Sequence, residues 1–145
     1  QLVEPIMQSG TEDEKVEAKY MLFQSHFRLG VIYLNRDRLA DAATEFEKAK
    51  AVDATPEVLT YLGQTRVKQG DVPKGEAEFR AALAKSPQQH AIRLHLATLL
   101  VNNKRCPEGL REAALVPNEP AYAETVNRIK GVCDYQRQMD ARGGK

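Results

Sequence analysis

The stretch HFRLGVIYLNRDRLADAATEFEKA, residues 26–49, decides how this chain is read. It holds two amphipathic segments separated by a tight polar turn at Asn35-Arg36-Asp37, and most of its spacing returns one helix pair later. Leu29-Gly30 comes back as Leu62-Gly63, Glu45 as Glu78, Phe46 as Phe79 and Ala49 as Ala82, all at a shift of 33. A further shift of 34 carries Leu62 onto Leu96, Gly63 onto Ala97 and Gly75 onto Gly109. A fixed period in the thirties implies an all-α solenoid, because one such pair cannot bury its own apolar face and neighbours must stack to do so. Function is then expected on the surface of the stack.

The 145 residues suffice for one ordinary domain or three to four helical repeats. Charged residues make up 28% and hydrophobic ones 42%, the balance of an ordered, soluble chain. A net charge of +1 gives no field to draw in a nucleic acid or an anionic membrane, so neither is an expected partner. Opposite charges are interspersed, as in Arg36-Asp37-Arg38 and Glu45-Phe46-Glu47-Lys48, which suits solvated helix faces. No apolar run approaches the roughly eighteen residues of a membrane span. A start at Gln1, without methionine, fits a processed mature protein or a cut fragment.

Taken in order, residues 1–10 read as a leader in which Pro5 and Gly10 break any pattern. Thr11-Glu12-Asp13-Glu14 then has the form of a capping box, with acid where the helix dipole favours it. Tyr20, Phe23, Phe27, Gly30, Val31 and Leu34 carry a helical period to about Asn35. Leu39, Ala42, Ala43, Phe46, Ala49 and Val52 form the stripe of a second helix. Thr55-Pro56 caps a third, which Gly70 ends. Asp71 opens a fourth, with Val72, Phe79, Ala82 and Leu83 facing inward. Ser86-Pro87 repeats the Thr55-Pro56 device before a fifth helix rich in leucine, and Pro107 starts a short sixth that stops before Pro117. After Pro120 a last helix carries Tyr122, Val126, Ile129 and Cys133 on one stripe with a polar remainder, the pattern of a capping helix. Period-two alternation is absent, so no strand is expected.

The repeated residues resemble tetratricopeptide repeats, whose pattern runs W-x2-L-G-x2-Y, then A-x3-F, then P. The first pair reads His26-x2-Leu29-Gly30-x2-Tyr33, then Ala42-x3-Phe46, with Pro56 two residues late. The second reads Leu59-x2-Leu62-Gly63-x2-Arg66, then Gly75-x3-Phe79, with Pro87 in register. The third is degraded: Arg93-x2-Leu96-Ala97-x2-Leu100, then Gly109-x3-Ala113, with Pro120 one residue early. The resemblance covers roughly residues 23–120. It divides a single domain, 1–145, into a leader (1–10), a first repeat with an extended first helix (11–55), a second repeat (56–86), a degenerate third (87–119) and a capping helix (120–142). Small residues at Gly30, Gly63 and Ala97 should let the first helix of each pair press on Ala42, Gly75 and Gly109 of the second, with Phe46 and Phe79 filling the gaps beyond.

The resemblance implies a right-handed superhelix whose concave wall is built by the first helix of each pair. The chaperone-tail clamp known in the family grips a carboxylate with lysines, an arginine and asparagines. The matching places here hold Phe27, Val31, Tyr61, Ala91 and His95, so that cationic grip is missing. By the same carry-over the groove should show Phe27, Val31, Leu34, Thr60, Gln64, Val67, Leu94, Thr98 and Val101. Such a wall suits an amphipathic helix or an extended apolar peptide. The alternative places some of these side chains beneath the long first helix or the last helix.

No catalytic constellation is assembled. His90 and His95 are five apart and fall on different helix faces, whereas zinc pairs on a helix sit four apart, so neither a metal nor a cofactor is expected. Cys106, in the turn after the fifth helix, and Cys133, some fourteen residues into the last, should lie near the same end of the stack. A bridge there would stabilise by roughly 3 kcal/mol and imply an oxidising compartment such as a periplasm. The alternative is a pair of reduced, buried thiols in a cytoplasmic protein. The expected role is a non-enzymatic scaffold for a protein or peptide partner. The alternative is a self-associating structural or assembly factor, for example in a periplasmic envelope or pilus, using its long first helix.

Overall fold

The structure, a computed structural model, describes residues 3–143, and among them it holds eight helices and no strand. They are α1 (Val3–Ser9), α2 (Glu12–Asn35), α3 (Leu39–Val52), α4 (Pro56–Lys68), α5 (Val72–Lys85), α6 (His90–Asn102), α7 (Cys106–Ala114) and α8 (Pro120–Gly143). The helices divide between two compact units, Gln1–Glu78 and Phe79–Lys145, with the division inside α5.

Local chemistry explains most boundaries. The Thr11 hydroxyl accepts from the Glu14 amide at 3.3 Å while Glu14 Oε2 accepts from the Thr11 amide at 2.7 Å, a complete capping box at the start of α2. Thr55 caps α4 by accepting from the Val58 amide at 3.2 Å, with Pro56 in the first turn. Two expectations are corrected. Within the leader read over residues 1–10, with Pro5 and Gly10 as breaks, Val3–Ser9 form α1, because Pro5 sits in the first turn, where its missing N–H is not needed. Ser86-Pro87 does not cap α6. The Gln89 amide donates back to Ser86 O in a turn, and the helix begins three residues after the proline.

Three connections share one backbone device. Asp37, Gly70 and Lys104 have φ of 58°, 83° and 61° and stand 33 and 34 residues apart, the sequence period itself. Each turns the chain from the first helix of a pair into the second, and only Gly70 adopts the left-handed region at no steric cost. Lys104→Gly should therefore raise the unfolding free energy by about 0.5–1 kcal/mol, read from urea titrations. A lowered midpoint would show that the lysine side chain contributes more than the strain costs.

In the N-terminal unit α2 packs on α3 and α3 on α4. Ala42, Phe46, Ala49, Val58 and Leu62 are completely buried there. Gly30 lies beneath the Phe46 ring so closely that a Cβ would come within 2.5 Å of Phe46 Cε1. Gly75 lies against Val67 and the Gly63 carbonyl in the same way. These contacts explain why the small residues recur, since a methyl group at either site would push the paired helices apart.

In the C-terminal unit Gly109 approaches Val101 and the Ala97 carbonyl, the counterpart of Gly75 on Val67. Leu94, Ala97, Val101, Ala113, Val116, Ile129 and Cys133 form its core, with Tyr122 and Val126 packed alongside. The opposite side of α8 is solvated, exposing Glu124, Asn127, Arg128 and Asp134 together with Tyr135 and Met139. Three glutamates at the repeat register are each held by a cationic or imidazole partner. Glu45 meets His26 Nδ1 at 2.7 Å, Glu78 meets Lys50 at 2.9 Å and Glu112 meets Arg93 at 2.7 Å.

Candidate functional site

Within the N-terminal unit the first helices α2 and α4 meet through aromatic rings. Phe27 stacks on Phe23 at 5.9 Å and meets Tyr61 edge to face at 5.3 Å. Phe46, wholly buried, lies 5.9 Å from Phe27 and 5.7 Å from Tyr61 and forms the floor beneath both. Phe27 and Tyr61 are only half-buried, so part of each remains open to a ligand. Val31 follows Phe27 one turn later on α2, and Thr60 and Gln64 stand one turn apart on α4, all three half-buried. The Thr60 hydroxyl donates to Pro56 O at 2.7 Å, which leaves its methyl group as the apolar part of the wall.

Beside Phe23 a cleft of about 490 Å³ opens between α2 and the α3–α4 connection, lined by Val16, Tyr20, Phe23 and Val52 among others. Lys19, Asp53 and Glu57 stand at it as the charged groups. Tyr20 and Val16 are 63% and 67% exposed, far more than isolated core side chains would be. The result is an apolar strip along one side of α2, from Val16 through Tyr20, Phe23 and Phe27 to Val31, with polar groups beside it.

Other residues expected in a groove lie elsewhere. Leu34 is buried, and Val67 is turned against Gly75 of α5. Leu94 and Val101 belong to the interior of the C-terminal unit, where the stripe of α8 covers them. This is the alternative arrangement, with α8 lying over α6. Thr98 remains half-buried on α6. Leu29, one of the repeat-defining residues with Gly30, Tyr33, Ala42 and Phe46, is 41% exposed, whereas its counterparts Leu62 and Leu96 are completely buried. Among the described residues no helix pair precedes α2 to cover it.

Cys106 and Cys133 are joined as a disulfide between α7 and α8, with Cα atoms 5.7 Å apart. Gln136 donates to Val101 O at 2.8 Å and tightens the same contact. His95 lies face to face with Phe79 at 5.8 Å, and the loss of hydration holds its imidazole pKa below the ordinary value. His90 meets Tyr122 edge to face. Among the described residues no group of three or more His, Cys, Asp or Glu side chains is placed to hold a metal, and no helix is long and apolar enough to cross a membrane. Tyr61 and Phe23 were not in the expected groove, although their helical spacing from Gln64 and Phe27 was available as a signal.

Helix pairs joined at left-handed turns, with small residues at each crossing and an open aromatic strip, define a helical-repeat protein. Residues 62–122 match the tetratricopeptide repeat family. The structure resembles the type III secretion chaperone SycD of Yersinia enterocolitica, with TM-score 0.70 and 16% identity over 88% of this chain and 98% of that one. SycD in complex with a peptide of the translocator YopD aligns with TM-score 0.69 and 15% identity, over 81% and 93% of the two chains. YrrB, described as a tetratricopeptide-repeat protein with an unusual peptide-binding site, aligns with TM-score 0.68 and 18% identity, over 86% and 66%. At these identities the likeness shows the fold. No curated protein matches the chain in sequence. The family match over residues 62–122 and the likeness in fold agree on a tetratricopeptide-repeat architecture.

Proposed function

We propose that this protein is a non-catalytic interaction adaptor whose N-terminal unit takes an amphipathic helix or an extended apolar peptide along α2 and α4. The observation that carries this reading is the half-open Phe27–Tyr61 pair over the buried Phe46, continued by the cleft at Tyr20 and Phe23. Aromatic rings already fixed by their neighbours lose little freedom on binding, so they serve as anchors for apolar side chains of a ligand. Thr60 and Gln64 would fix its direction through polar contacts. The complex of SycD with a YopD peptide, and the peptide site of YrrB, support peptide capture as a use of this fold. The disulfide favours an oxidising setting such as a periplasm.

The test is a panel of amphipathic helical and extended apolar peptides titrated calorimetrically against the full chain, followed by Phe27→Ala and Val31→Asp with the best binder. Each substitution should weaken binding at least about tenfold, or roughly 1.4 kcal/mol, while the far-ultraviolet spectrum stays unchanged. Equal affinity of wild type and both variants would remove α2 from the site.

A further inference from the structure

Gln136 of α8 holds a position that the bridge beside it does not explain. Its Nε2 donates to Val101 O at 2.8 Å, and because a carbonyl oxygen can only accept, that contact fixes which way round the amide lies. The other end of the amide, Oε1, is thereby turned on Cys106 Sγ at 3.1 Å. An acceptor at that distance suits a thiol, whose S–H can donate to it, whereas a bridged sulfur carries no proton to give. Cys106 therefore already faces a hydrogen-bond partner for the state in which the bridge is open. Access is provided as well. A cleft of about 510 Å³ opens at the bridge, lined by Lys104, Cys106, Cys133, Gln136, Arg137 and Asp140 among others. Cys106 is half-buried and Cys133 only 3% exposed, so Cys106 is the more open of the two.

We propose that Cys106–Cys133 is a reversible thiol-exchange site, opened in the folded protein by a small thiol that enters this cleft, with Gln136 as the acceptor that stabilises the open form. A thiolate of the incoming reductant attacks Cys106 Sγ, forming a mixed disulfide there while the bond to Cys133 breaks and Cys133 leaves with the electron pair, taking up a proton. A second thiol then attacks the reductant's own sulfur in the mixed disulfide and releases Cys106, which is protonated and donates to Gln136 Oε1. Two thiols of the reductant become one disulfide, and two electrons and two protons pass to the cysteines. Cys133, on the apolar stripe of α8, is accommodated as a thiol among Leu94, Val101 and Ile129, where it remains a small apolar side chain. The stripe and the bond from Gln136 to Val101 persist in both states, so opening loosens the C-terminal unit without unfolding it. This inference is independent of the peptide-binding reading, which uses the N-terminal unit.

Two measurements on the full chain, with dithiothreitol as the probe and the thiols trapped by alkylation, test this. Bridge opening in the wild type should be first order in dithiothreitol and nearly independent of urea below the unfolding transition, since the cleft admits the reagent to the native state. A rate that climbs steeply with urea would mean that the bridge is reached only through unfolding, and would overturn the proposal. Equilibration in mixed oxidised and reduced dithiothreitol then reads the role of Gln136. Gln136→Leu loses the bond to Val101 in both states but the thiol's acceptor in the open state alone, so its equilibrium should move toward the bridge by about threefold to tenfold. Gln136→Glu keeps an acceptor and should show no such shift. An unmoved equilibrium in Gln136→Leu, or an equal shift in both variants, would remove Gln136 from the role assigned to it.

Discussion

Phe46→Ala should lower the unfolding free energy by about 3–5 kcal/mol, the largest effect expected of any single substitution in the N-terminal unit. The ring is completely buried, covers Gly30 and supports both Phe27 and Tyr61. Its removal leaves a void that Gly30 cannot fill, having no side chain, and that α2 and α3 can close only by shifting toward each other. The transfer and cavity costs therefore add. Thermal unfolding should show a midpoint lower by on the order of 10 °C. Peptide binding should weaken as well, because Phe27 and Tyr61 lose their support. A loss below about 1 kcal/mol would mean that the site collapses without cost, and would contradict the close contact at Gly30.

Breaking the Cys106–Cys133 bridge should cost about 3–4 kcal/mol, confined to the C-terminal unit. The bridge closes a loop of sequence separation 27 and ties α8 to the start of α7. Without it α8 is held by Tyr122, Val126, Ile129 and the bond from Gln136 to Val101, a single apolar stripe on an otherwise solvated helix. Hydrogen exchange with and without a reductant is the direct measurement. Amides of α6, α7 and α8 should exchange faster after reduction, with those of α3 and α4 unchanged. Equal protection of α8 in both states would assign its stability to the apolar stripe alone. Cys106→Ala with Cys133→Ala should reproduce the reduced behaviour.

The repeat was legible because its contacts are demanding. Gly30 lies under Phe46, and Gly75 and Gly109 under Val67 and Val101, and the two registers they belong to hold only glycine or alanine, so the period is written at fixed positions. Thr11 and Thr55 were readable for a similar reason, since a cap is satisfied within three residues of itself. α1 was missed because Pro5 and Gly10 were taken as breakers, yet proline is tolerated in a first turn and glycine here closes the helix behind it. The groove was only partly legible. Helical spacing assigns Leu94 and Val101 to a face, but what lies over that face depends on how the stripe of α8 docks. Pairings such as His26 with Glu45 and Arg93 with Glu112, each 19 residues apart, needed the packed helices to appear.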